Sequence, residues 1–149
     1  VYLQLTTGGE VFTEPVVLLS SPDLPARQPD LQVVLPDRAH FVDPNRVAGP
    51  ANLVVEIVSP ESVSRDRGRK FHEYEQGGVD EYWIIDPARE EALFYVRDEA
   101  GLYRQRSPVD GIYTSTMLPA LKLRVDLLWQ ERQPDVIATV QMVERMVKE

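Results

Sequence analysis

Apolar positions in this chain come in short blocks divided by proline, glycine and charge, and the block "NLVVEIVSP" (52–60) carries two apolar faces. Strand alternation sets Val54, Glu56 and Val58 on one side and Leu53, Val55 and Ile57 on the other. A strand that is apolar on both faces belongs inside a sheet, so the pattern predicts an interior strand over 53–58. "DLQVVLP" predicts a shorter strand over 31–35, entered through Pro29-Asp30. "EVFTEPVVLLS" reads as a first strand pair or a bent strand interrupted at Pro15. "EYWIIDP" and "EALFYVRD" read as two strands joined by a turn at Pro87. Weaker strands, "LYRQRSP" and "IYTSTM", flank Asp110-Gly111.

The period turns helical in two places. "SPESVSRDRGRKFHEYEQGG" predicts a helix from about Ser64 to Gln76, capped by Ser62 or Ser64 and ended at Gly77-Gly78. "PDVIATVQMVERMVKE" (134–149) is amphipathic, with Val136, Val140, Val143 and Val147 in one stripe widened by Ile137 and Met146. Such a stripe packs on the core, and an apolar helix of this kind also suits a homodimer. "VYLQLTTGGE" looks like a helix end stopped by Gly8 and Gly9, with most of that helix expected upstream of residue 1. "SSPDLPARQP" and "PDRAHFVDPNRVAGP" are proline-rich loops. Strands, helix, strands, helix make a mixed α/β or α+β fold, with residues 1–149 as one domain.

Composition narrows the chemistry. With 149 residues, 43% hydrophobic and 27% charged, the chain has the makings of an ordinary globular core. It has no cysteine and two histidines, His40 and His72, which excludes disulfides, thiolate zinc sites, cysteine nucleophiles and a histidine-rich metal centre. No run reaches the ~18 apolar residues of a membrane helix, and no signal-peptide pattern is visible. The expected setting is therefore the cytoplasm, with no membrane partner. A formal net charge of −8 argues against non-specific duplex binding. Against that total, Arg65, Arg67, Arg69 and Lys70 form one dense basic cluster shortly after Glu56.

Glu56 is the residue that asks for an explanation, because an ionised carboxylate in an apolar strand costs several kcal/mol, roughly, unless a cation or donors meet it. If strand 31–35 pairs with strand 53–58, Asp30 and Glu56 converge at one sheet end. Two carboxylates ~6 Å apart repel by about 3 kcal/mol at an effective dielectric of 20. A hard divalent cation relieves both, since magnesium keeps several waters and needs only one or two carboxylates. Taken singly, Asp30 and Asp86 read as turn residues and Lys70 as a surface lysine. Asp66, Lys70 and Tyr74 share a drifting helical face at i, i+4 and i+8, which leans Lys70 toward the end of the Glu56 strand. Glu81-Tyr82-Trp83 reads as structural, fixing the neighbouring strand.

"QPD", "VVEIVSP" and a following basic helix with Lys70 resemble the PD-(D/E)XK nuclease-like pattern. There an Asp and a Glu bind magnesium, and a lysine commonly lies two residues beyond the Glu. Here that position is Val58, and Lys70 matches the variation in which the lysine has moved to the next helix. More narrowly, "PD", "NLVVEIVSPES" and "RDRGRKFHEYEQGGVDEYWIIDP" resemble the Uma2 family, restriction endonucleases by designation and earlier a domain of unknown function. Glu56, Ser59, Pro60, Asp66, Lys70, Tyr74, Gly78, Val79, Glu81, Tyr82, Trp83 and Asp86 follow its ordered signature, and the likeness runs over roughly residues 8 to 128. Family members usually begin with a further helical segment, expected here to be cut short, and the helix after Trp129 extends past the family core.

The resemblance implies a restriction-endonuclease-like core and a metal-dependent endonuclease acting on nucleic acid, DNA in the first instance. Asp30 and Glu56, with the Ile57 backbone carbonyl, would hold Mg2+ or Mn2+. Lys70 would position the attacking water or stabilise charge, Arg65, Arg67 and Arg69 would contact phosphates, and Asp66 and Tyr74 would support the site. The alternative is a nuclease fold that binds nucleic acid or a protein partner without cutting, which the acidic total favours. A carboxylate-pair glycosidase fits poorly, for lack of aromatic-rich loops around a sugar cleft.

Overall fold

The computed structural model describes residues 2–14, 16–59 and 66–148, with the side chains of Gln4, Leu5, Asp66 and Arg67 left aside. In chain order the elements are α1 (Tyr2–Thr6), β1 (Glu10–Thr13), β2 (Val17–Leu18), β3 (Leu31–Val34), a 3-10 turn (Pro36–Phe41), β4 (Val42–Asp43), β5 (Arg46–Val47), β6 (Leu53–Ile57), α2 (Asp66–Gly77), β7 (Glu81–Asp86), β8 (Glu91–Arg97), β9 (Tyr103–Arg106), β10 (Ile112–Thr114), β11 (Lys122–Arg124), a second 3-10 turn (Val125–Trp129) and α3 (Val136–Lys148). Six strands form one mixed sheet in the order β1-β3-β6-β7-β8-β9. Within it β6 and β7 are parallel and every other pair is antiparallel. Parallel neighbours need a crossover, and α2 supplies it.

The double alternation of β6 is realised as two cores. Leu53 and Val55 join Val33, Trp83, Ile85, Phe94, Tyr113 and Val143 on one face of the sheet. Val54 joins Val34, Tyr74, Val79, Tyr82, Ile84 and Tyr103 on the other, beneath α2. Glu56 shares the parity of Val54 and so points to the α2 side. The interior-strand reading and the pairing of the two strands it invoked are both present: β3 lies against β6, with Leu31 opposite Val55.

Elsewhere the structure corrects the pattern. The segment on either side of Pro15 is two strands in two sheets, with Pro15 outside the described residues. The loop 36–50 holds a 3-10 turn and the β4–β5 hairpin. Asp110 and Gly111 both have positive φ, 49° and 75°, making the tight turn that Asp-Gly favours. The strands flanking that turn then part: β9 closes the edge of the main sheet, and β10 pairs with β11, a strand too short to show a period. The helix after Glu56 begins at Asp66, and its proposed caps Ser62 and Ser64 fall outside the described residues. It ends as expected, with Gly78 at φ 86°. At α3 the cap is Asp135, whose carboxylate accepts the Ala138 N–H at 2.8 Å. The stripe on α3 is only partly used. Val143 is buried, but Val136 and Ile137 are 75% and 70% exposed, because the helix meets the core through its middle.

Two polar clamps lock the sheet. Arg38 donates to the carbonyls of Pro50, Ala51 and Gly78 and pairs with Asp80 at 2.6 Å, tying together the starts of β6 and β7. Glu81, fully buried, receives Trp83 Nε1 and the Tyr113 hydroxyl on Oε1. Its Oε2 receives the Ser115 and Thr116 hydroxyls and the N–H groups of Thr116 and Met117. This stitches β7 to the loop after β10, so the structural reading of Glu81 and Trp83 holds. Among the described residues no helix is long and apolar enough to cross a membrane.

Candidate active site

Continuing the β3–β6 register by one step sets Asp30 across from Glu56, on the same face of the sheet. Pro29 precedes Asp30 and has no N–H to offer the facing Ile57 carbonyl, while the Asp30 side chain takes the Ile57 N–H. Its Oδ2 accepts the Ile57 N–H at 2.7 Å. The N–H and C=O of one extended residue point to the same strand edge, so the Ile57 carbonyl lies on the Asp30 side.

From above comes α2, with Lys70 and Tyr74 one turn apart. Lys70 Nζ lies 3.0 Å from Glu56 Oε2, and the Tyr74 hydroxyl donates to Oε1 at 2.7 Å. The structure therefore brings Asp30, Glu56, Lys70 and Tyr74 together, with Lys70 reaching Glu56 from the helix. Val58 itself is half-buried. Arg69 stands exposed on the same helix, while Arg65 and the side chains of Asp66 and Arg67 lie outside the described residues.

The electrostatics differ from the sequence expectation in one respect. Asp30 and Glu56 are not a pair left to repel each other; each has its own donor. Glu56 still has its pKa raised above the ordinary carboxylate value, first because it is only 7% exposed. The Tyr74 hydrogen bond and the Lys70 charge pull it back down, and the Asp30 charge is the least of the causes. Tyr74 has its own pKa pushed far up by burial and by Glu56, which keeps its hydroxyl a donor. Asp80, beside Arg38, is also raised by burial.

These directions fix a pH dependence. An acid with a raised folded pKa makes the native state hold more protons than the unfolded one, so stability falls as pH rises through that interval. The loss is absent below the ordinary carboxylate value and complete above the folded one. In chelator, wild-type thermal stability should decline over that interval through Glu56 and Asp80, and Glu56→Gln should remove the Glu56 part. The same variant should be at least as stable as wild type at neutral pH, since an amide oxygen still accepts from Tyr74 and the partly exposed Lys70 can turn its ammonium to solvent. It should also lose any manganese-induced rise in melting temperature, which arises from binding to the native state only. A wild-type shift in the variant would place the metal elsewhere.

Among the described residues no group of three or more His, Cys, Asp or Glu is arranged to hold a metal ion. A fully protein-built cage is thus absent from this part of the chain. Asp30, Glu56 and the Ile57 carbonyl are hard oxygen donors of the kind magnesium takes alongside waters, and they fit it. A wide apolar groove of about 700 Å³, lined by Leu31, Val33, Leu53, Val55 and Leu128, lies on the opposite face of the sheet and offers a phosphate nothing.

One supporting contact left no trace in the sequence pattern. Arg27, in the loop before Asp30, grips Glu73 on α2 with both ends of its guanidinium, at 2.7 and 2.8 Å. It fixes the segment carrying Asp30 to the helix carrying Lys70 and Tyr74. Arg27 and Glu73 lie 46 residues apart, and neither is one of the signature positions, so nothing local could have paired them.

The Uma2 family, described as "Putative restriction endonuclease", matches residues 2–128. α3 lies beyond that match. A solved structure described as a "putative nuclease belonging to DUF820" from Anabaena variabilis superposes with a TM-score of 0.65 at 16% identity, over 86% of this chain and 72% of that one. At that identity the likeness is one of fold. No curated protein matches the chain.

Proposed function

The chain belongs to the Uma2 family, and on that premise we propose that it is a metal-dependent endonuclease hydrolysing phosphodiester bonds of nucleic acid, with DNA as substrate. The observation that carries this reading is the convergence of Lys70 and Asp30 on Glu56 at one sheet end. Asp30, Glu56 and the Ile57 carbonyl would hold Mg2+ or Mn2+. When bound, the ion lowers the pKa of a water and faces the phosphate with positive charge. Lys70, with 24% of its side chain exposed, can extend from Glu56 toward a phosphate. There its ammonium would orient the attacking water or meet the developing negative charge. Arg69, exposed on the same helix, would position the backbone by contacting flanking phosphates, as would Arg65 and Arg67.

The net charge of −8 favours a second reading, a nuclease fold that binds without cutting. Labelled single- and double-stranded DNA and RNA, incubated with manganese, magnesium or chelator, separate the two. Cleavage that requires the cation supports the enzyme. Retention of oligonucleotide with no cleavage under any cation supports the binder.

A further inference from the structure

We propose that Tyr74 is a positioning residue: it holds Glu56 Oε1 so that Oε2 alone is exchanged between Lys70 and a divalent cation. The proposal rests on the metal-site reading above and goes one step deeper. The two oxygens of Glu56 have donors of opposite character, one helical turn apart on α2. Tyr74 is buried, and its ring sits edge-on to Tyr82 at 5.1 Å between centroids, so its hydroxyl has one place to point. Lys70 has a long flexible stem and reaches partial exposure. One donor is therefore fixed and the other can leave.

Asp30 repeats the arrangement. Its Oδ2 is taken by the Ile57 amide, a backbone group that cannot move without unpairing the strand. Each carboxylate thus has one oxygen held by a rigid donor. If Lys70 alone held Glu56, the carboxylate would follow the ammonium when that moved toward a phosphate. With Tyr74 in place, Glu56 stays where it is, opposite Asp30. Partners that orient a metal ligand in this manner are typically worth about 10–100-fold in metal affinity.

The test is manganese binding by calorimetry without nucleic acid, which reads the role of Tyr74 whether or not cleavage is ever seen. Tyr74→Phe should weaken manganese binding about tenfold. Tyr103→Phe is the control. Tyr103 is another buried tyrosine on the same face, and its hydroxyl donates to the Val79 carbonyl at 2.9 Å, away from Glu56. It should lose comparable thermal stability and leave manganese affinity alone. Tyr74→Phe should weaken binding equally in a Lys70→Met background, because the hold of Tyr74 does not depend on the lysine. Where cleavage is measurable, the manganese concentration for half-maximal rate should rise with the binding constant, and excess manganese should restore the maximal rate. Wild-type affinity in Tyr74→Phe would overturn the proposal. So would an equal loss in Tyr103→Phe, or a Tyr74 effect that vanishes without Lys70. Should wild type cleave with manganese while Tyr74→Phe binds it normally, the positioning role fails and the nuclease reading stands.

Discussion

Lys70→Met should slow nucleic-acid cleavage by about 10²–10³-fold, the usual cost of losing one well-placed stabiliser of transition-state charge. Methionine keeps most of the apolar stem, and only the ammonium 3.0 Å from Glu56 Oε2 is removed. The fold should survive, since α2 is anchored through Tyr74, Phe71 and the Arg27–Glu73 fork and not through Lys70. Lys70 and a divalent cation seek the same Glu56 oxygen, so cation affinity in this variant should stay equal or rise. Single-turnover cleavage at saturating manganese, with calorimetry on the same samples, measures both quantities. Equal cleavage rates in wild type and variant would remove Lys70 from the chemistry. A fall in cation affinity would mean that Lys70 supports the site and does not compete at it.

Glu81→Ala should destabilise the protein by about 3–5 kcal/mol, because several buried donors lose their acceptor together. At this chain length that is roughly a 10–15 °C fall in melting temperature. Oε1 serves Trp83 and Tyr113, and Oε2 serves two hydroxyls and two backbone N–H groups. The hydroxyls can turn to other acceptors, but the Thr116 and Met117 amides cannot. Glu81→Gln is the sharper comparison. Its amide nitrogen would face those amides donor to donor, so the substitution that Glu56 tolerates should cost stability at Glu81. Urea denaturation of the two glutamine variants side by side decides this. Equal stability of Glu81→Gln and wild type would show that the polar knot relaxes around the amide.

These two buried glutamates show how unevenly a sequence can be read. Glu56 was conspicuous because apolar residues flank it on both faces of one strand, a local pattern that needs no partner to be seen. Glu81 sits at the start of its strand, and five of its six donors come from a loop more than 30 residues away or from a tyrosine beyond β9. The N-terminal half of the α3 stripe stands clear of this chain's own core, which its period could not show. Val136 and Ile137 have the right period, but period records which side of a helix is apolar and not how far along it a core extends.

Local pattern was enough for the interior character of strand 53–58, observed as Leu53–Ile57, for the helix ended by Gly77-Gly78, and for the alternation that sends Glu56 to one face of the sheet. Each follows from backbone geometry within a few residues, where side-chain alternation and glycine conformation are decided locally. The assembled fold set Asp30 opposite Glu56 and divided the two oxygens of Glu56 between Lys70 and Tyr74. It alone joined Arg27 to Glu73 and gave Glu81 five of its six donors. Those contacts close loops of 14 to 46 residues or link separate elements. No short-range pattern encodes them, because the free energy that selects them comes from burial and from satisfying donors once the whole sheet has assembled.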